Sequence, residues 1–89
     1  MYKVTFSKRA QEDSVRLNRE SAQLYRKLTS LVRELYEHPR TGTGQVERLR
    51  HCTGEVWSRR ISQKHRLVYR IEENIVYVEI ISAFGHYNN

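Results

Sequence analysis

The chain has 89 residues and a net charge of +6, which leaves room for one small domain, expected over residues 1–89, with a thin core. No apolar run reaches the length of a membrane span, and the first residues do not form a signal peptide. The lone Cys52 cannot close an internal disulfide, and one Cys with four scattered His makes no tetrahedral metal set. A cytoplasmic address, no membrane partner, no metal and no cofactor are therefore expected. The charge is unevenly placed. Between Arg40 and Arg70 stand eight basic and two acidic residues, and the remainder holds eight of each. A focused basic stretch on a small domain points to a polyanion partner.

Residues 2–6 alternate and are β-branched and aromatic, which predicts a short strand. Ser7 is placed to cap the helix that follows, with Glu12 and Asp13 near its positive end. Leu24, Leu28, Leu31 and Leu35 recur at helical spacing, widened by Tyr25, Val32 and Tyr36. A break within residues 18–21 makes the two helices a hairpin, and His38-Pro39 ends the second. Residues 40–45 hold two glycines. They could cradle a phosphate, but the spacing matches neither a Walker loop nor a dinucleotide fingerprint, so a flexible connector is expected.

Beyond residue 45 the period changes to two. Strands are predicted at 46–51, 56–62, 65–72 and 74–82, with a hairpin around Gln63. The last is apolar on both faces and reads as a central strand. The order β-α-α-β-β-β-β predicts an α+β domain, with the helical hairpin on one face of a small, mainly antiparallel, twisted sheet.

Strand parity then assigns faces. Trp57, Ile61, Leu67, Tyr69 and Ile71 are odd-numbered and should meet the helices. The even set includes Arg60 and Arg66, which a hairpin centred on Gln63 sets directly opposite one another. Like charges across a strand pair are unfavourable, and an anion such as phosphate would relieve them. His86 is the most plausible general acid or base, and Tyr87 beside it can stack on a base. Glu47 is the single carboxylate among residues 40–54 and is flanked by Arg48 and Arg50.

These residues occur in a combination that resembles the YoeB/Txe group of the RelE toxin superfamily, bacterial toxins paired with antitoxins. The resemblance is carried by Gly42-Thr43-Gly44-Gln45-Val46-Glu47-Arg48-Leu49-Arg50-His51, by Trp57-Ser58-Arg59-Arg60-Ile61, by His65-Arg66-Leu67-Val68-Tyr69 and by Gly85-His86-Tyr87. It implies a RelE-like fold and a ribosome-dependent endoribonuclease that cuts mRNA in the ribosomal A site. The ribose 2′-hydroxyl attacks the adjacent phosphate, so no metal is required. The implied roles are Glu47 as general base, His86 as the acid for the leaving 5′-oxygen, and Arg66 as transition-state stabiliser. Arg60 becomes a phosphate contact, Arg50 a substrate-holding basic residue, Tyr87 a base-orienting ring, and His51 a residue that touches RNA.

Arg40, Arg48, Arg59, Lys64 and Arg70 remain for ribosomal RNA or for plain solvation. The family further implies a cognate antitoxin of the YefM/Axe kind, the ribosome and mRNA as partners, and often a toxin homodimer. Three features depart from the family pattern: Gln45-Val46 stands where prolines are frequent, Phe84-Gly85 replaces a basic-aromatic pair, and Asn88-Asn89 follows the His-Tyr pair. Two rival functions share this scaffold or charge: a gyrase-poisoning toxin of the ParE kind, which lacks the acid-base set, and a basic module that coats ribosomal RNA.

Overall fold

A computed structural model describes residues 1–86. The element order is β1 (Lys3–Phe6), α1 (Lys8–Glu20), α2 (Ala22–Leu35), β2 (Glu47–Arg48), β3 (Glu55–Arg60), β4 (Arg66–Glu72) and β5 (Tyr77–Ser82). Ser7 starts α1 by accepting the Ala10 N–H at 3.0 Å. Ser21 separates the helices with extended dihedrals. Its N–H donates to the Leu17 carbonyl, and its hydroxyl accepts from Gln23 N–H at 3.1 Å to start α2. One serine thus ends one helix and caps the next, which is the physical basis of the hairpin.

The strands form one mixed sheet in the order β1-β5-β4-β3-β2. β1 runs parallel to β5, and every other neighbouring pair is antiparallel. The expected α+β architecture is present, with β5 an interior strand. Leu17, Leu28, Leu31 and Leu35 from the helices pack on Ile61, Leu67, Tyr69, Ile71, Val78 and Ile80. Burying each such side chain is worth about 1.5–3 kcal/mol. The opposite face carries a smaller apolar cluster of Leu49, Val56 and Val68. Among the described residues, no helix is long and apolar enough to cross a membrane.

Three local expectations are corrected. The strand expected at 46–51 shortens to Glu47–Arg48, because the chain turns at Arg50 and His51. Leu49 still donates its N–H to the Val56 carbonyl at 2.8 Å. The last strand begins at Tyr77 rather than Asn74, since Glu73–Ile75 winds into a 3₁₀ turn that Val76 closes at φ +50°. Val76 N–H bonds the Glu73 carbonyl at 3.1 Å, and Ile75 and Val76 stay exposed. Asp13 does not serve the positive end of α1. It is buried, and its Oδ2 accepts the Ala83 N–H at 2.9 Å, which ties α1 to the segment after β5.

Candidate active site

The β3–β4 register pairs Arg60 directly with Arg66. The two guanidinium groups therefore share the sheet face away from the helices, as strand parity required. Neither meets a carboxylate among the described residues. Neutral acceptors hold them instead. Arg66 donates from Nε to Ser58 Oγ at 3.1 Å and from Nη2 to the Gln45 carbonyl at 3.1 Å. Arg60 donates from Nη1 to Gln45 Oε1 at 3.4 Å. Two half-buried cations side by side, with only neutral partners, make a site primed for an anion.

Glu47 joins them through β2. It pairs with Ser58, the same residue whose hydroxyl holds Arg66. Cross-strand partners share a face at about 4.5–5.5 Å between Cβ atoms, so Glu47, Ser58, Arg60 and Arg66 occupy one patch. Glu47 is exposed and makes no ion pair among the described residues. Arg48 pairs with Trp57 and so belongs to the other face. Arg50 and His51 lie in the turn after β2, both exposed. Because β2 ends at Arg48, strand alternation does not fix the face on which Arg50 stands.

The fourth element of the patch is the tail after β5. Gly85 is clasped to the hairpin twice: its carbonyl accepts the Arg66 N–H at 3.0 Å, and its N–H donates to His65 Nδ1 at 2.8 Å. His86 follows immediately, with Nε2 donating to the Gln63 carbonyl at 2.7 Å. The tail thus brings His86 to the end of β4 where Arg66 begins. Tyr87 lies outside the described residues.

Residues 41–45 are not a flexible connector. They fold over the buried side chain of Arg59, which is 0% exposed. Arg59 donates to Tyr69 Oη at 3.0 Å, to Glu34 Oε1 at 2.7 Å, and to the carbonyls of His38 at 2.6 Å, Thr41 at 2.8 Å and Thr43 at 3.4 Å. Glu34 also accepts the Thr43 N–H at 2.9 Å. Thr43, first through that backbone bond, and then Arg59 hold the Glu34 carboxyl below the usual carboxylate range. The glycines allow close approach rather than phosphate binding. A Cβ on Gly42 would collide with Glu34 Oε1, and one on Gly44 would stand 3.1 Å from the Arg60 carbonyl oxygen. The loop ends at Gln45, the residue that holds both Arg60 and Arg66.

Most of the remaining basic residues are likewise committed. Arg40 forms a two-pronged pair with Glu55 at 2.6 and 3.0 Å and reaches Glu73 at 2.9 Å. This network raises the Arg40 pKa and lowers that of Glu55, Arg40 being the main cause of the latter. Arg70 pairs with Glu79 at 3.1 Å, and Lys64 with Glu20 at 3.7 Å. Of the five residues expected to be spare, four are therefore ion-paired and only Arg48 is not. The charge without a carboxylate in the basic stretch, among the described residues, reduces to Arg48, Arg50, Arg60 and Arg66.

Sequence reasoning missed Ser58, Gln45, Arg59 and His65 as supports of the patch. Arg59 had a visible signal, since its odd number puts it on the core face with Trp57 and Ile61. The others form side-chain bonds that no local pattern encodes.

Comparison with known proteins decides the family. Residues 6–87 match the model of the YoeB-like toxin of the bacterial type II toxin-antitoxin system. The chain belongs to this family. It is 34% identical to a Toxin YoeB of Mycobacterium bovis over 98% of this chain and 100% of that protein. A YoeB/ParE toxin from Agrobacterium tumefaciens superposes with a TM-score of 0.86 at 30% identity, covering 96% of this chain and 99% of its own. YoeB of Staphylococcus aureus, solved as a dimer, gives a TM-score of 0.81 at 31% identity over 97% and 98% of the two chains. The same toxin in its heterotetrameric complex with YefM gives 0.79 at 30% identity over 98% and 99%. The fold of this YoeB-like chain is thus the fold of its relatives over nearly its whole length.

Proposed function

We propose that this YoeB-like toxin is a ribosome-dependent endoribonuclease that cuts mRNA by attack of the ribose 2′-hydroxyl on the adjacent phosphate. The observation that carries the reading is the cross-strand Arg60–Arg66 pair, unmatched by any carboxylate among the described residues, beside Glu47 on one face. In the reaction the 2′-oxygen–phosphorus bond forms and the phosphorus–5′-oxygen bond breaks. Glu47 accepts the 2′-hydroxyl proton, and His86 in its protonated form gives a proton to the leaving 5′-oxygen. Each transfer is worth about 10²- to 10⁴-fold. Arg66, oriented by Ser58 and Gln45, faces the charge that grows on the phosphate oxygens, and Arg60 holds the ground-state phosphate. Arg50, His51 and Tyr87 contact the flanking RNA.

In the free toxin His86 Nε2 spends its proton on the Gln63 carbonyl. Binding of substrate would exchange that carbonyl for the 5′-oxygen. The ribosome supplies the substrate, and a YefM-like antitoxin neutralises the toxin by covering the basic face with a segment that orders on binding. A toxin homodimer is the proposed free form, by analogy with the Staphylococcus aureus relative. The cytoplasm, where ribosomes are, is the proposed site of action.

The test is mRNA cleavage in a translation extract with Glu47→Ala, Arg66→Ala and His86→Ala. Each should lose cleavage by 10²-fold or more, on the order of one proton transfer or one charge-stabilising contact. Full activity in the Glu47 and His86 variants would falsify the assignment.

A further inference from the structure

The tail carrying His86 is held by a side chain that the proposed mechanism does not use. His65 is 0% exposed at the end of the β3–β4 turn. Its Nδ1 accepts the Gly85 N–H at 2.8 Å. An amide N–H can only donate, so Nδ1 carries no proton and the ring hydrogen stands on Nε2. Nε2 lies 3.2 and 3.3 Å from the two carboxylate oxygens of Glu20 on α1. Glu20 therefore fixes the tautomer of His65, as an acceptor on one ring nitrogen sets the role of the other. The bond from His65 is also the main reason that the Glu20 carboxyl sits below its ordinary range.

The surroundings fix the ring as well. Phe84 lies against it with centroids 4.3 Å apart, and the Arg16 guanidinium stands over the Phe84 ring at 3.8 Å. The charged groups around the clasp are Glu20 and Arg16 from α1 and Lys64 from the turn, whose Nζ is 3.7 Å from Glu20. Arg66 contributes its backbone N–H to the Gly85 carbonyl. Gly85 has φ +79° with nothing within 4 Å of a Cβ built there. Its backbone is thus set by its two hydrogen bonds, not by side-chain packing at that position.

We propose that His65 is a positioning residue for His86: its ring, oriented by Glu20, clasps the Gly85 amide and so sets where the His86 ring stands. This rests on the nuclease reading for its catalytic consequence, but the clasp itself is independent of it. A second proton on His65 would set an N–H at Nδ1 against the N–H of Gly85 and open the clasp. Misplacing a catalytic group by about 1 Å can cost about 10²-fold in rate.

The test combines NMR and kinetics on the full chain. Long-range ¹H–¹⁵N correlation on the unsubstituted protein should show His65 with its proton on Nε2, and the Gly85 amide should exchange slowly. His65→Phe keeps a ring against Phe84 but removes both nitrogens. It should speed Gly85 exchange and lower kcat on ribosome-bound mRNA about 10- to 100-fold, with KM within about twofold. His65→Asn, which can offer Oδ1 near the Nδ1 position, should recover most of both. A His65 proton on Nδ1 overturns the proposal. So does His65→Phe with unchanged Gly85 exchange and kcat, or an equal loss in both variants, which marks packing alone. If His65→Phe does not fold, the tautomer and the Asn variant still decide. If the unsubstituted toxin cuts no mRNA, the nuclease reading fails while the tautomer and Gly85 exchange still judge the clasp.

Discussion

Glu34→Ala should destabilise this toxin far more than an ordinary partly exposed glutamate would. The Glu34 side chain is 29% exposed, but its partner Arg59 is 0% exposed. Removing the carboxylate leaves a buried guanidinium with only Tyr69 Oη and backbone carbonyls as partners. Breaking a buried pair on one side costs about 3–5 kcal/mol. The exposed flank of Glu34 and the four remaining acceptors argue for the lower end, about 3 kcal/mol. An 89-residue chain has a total stability of about 4–13 kcal/mol, so the loss is a large share of the whole. It corresponds to a fall in Tm of about 12–24 °C. Glu34→Gln keeps an oxygen for Arg59 and Thr43 and should cost less, about 1–2 kcal/mol. Urea unfolding of the two variants against the unsubstituted toxin measures both. A Glu34→Ala cost under about 1 kcal/mol, or equal costs for the two variants, refutes the reasoning.

Three further outcomes are expected. Gly44→Ala would strain a residue at φ +96° and press a Cβ against the Arg60 carbonyl at 3.1 Å. It should cost about 1–3 kcal/mol and weaken cleavage through Gln45, read by thermal melting and by the extract assay. Arg60→Ala should raise stability by about 0.2–1 kcal/mol by relieving the like-charge pair while lowering mRNA cleavage; a variant that is less stable contradicts this. Glu34 and Glu55 both have carboxyl pKa values depressed in the fold. Their contribution is therefore complete above the ordinary carboxylate pKa of about 4.3 and lost as pH falls through the depressed values. The urea midpoint should decline below about pH 4.3, with a smaller decline in Glu34→Gln.

What the sequence could disclose follows from the range of the interactions involved. The helical hairpin rests on 3.6-residue periodicity and two serine caps, all local, and it was legible. So was the Arg60–Arg66 pairing, because a short hairpin fixes its own register. The patch needed more. Glu47 meets Ser58 across eleven positions, Gly85 meets His65 across twenty, and Asp13 meets Ala83 across seventy. None of these contacts leaves a periodic trace.

Arg59 was expected at ribosomal RNA or in solvent and is instead buried; its odd number is consistent with the core face, but the carbonyls that satisfy it belong to an irregular loop. The start of β5 was likewise hidden. The apolar run from Ile75 onward looks like strand, and only the 3₁₀ turn with Val76 in the left-handed region moves the start to Tyr77. The charge concentrated between Arg40 and Arg70 includes Arg60 and Arg66 but overstates the charge left unpaired, because ion pairs absorb half of those eight residues.

The nuclease reading is tested most directly by mapping the 5′ ends of a defined mRNA on programmed ribosomes treated with the purified toxin. The same message is then run with a 2′-deoxy sugar at the cut nucleotide. In-line attack by the 2′-hydroxyl predicts a discrete A-site cut in the ribose message, none in the 2′-deoxy message, and none with Glu47→Gln. Cleavage that persists at the deoxy sugar would contradict the mechanism. Intact mRNA alongside inhibited gyrase would contradict the function.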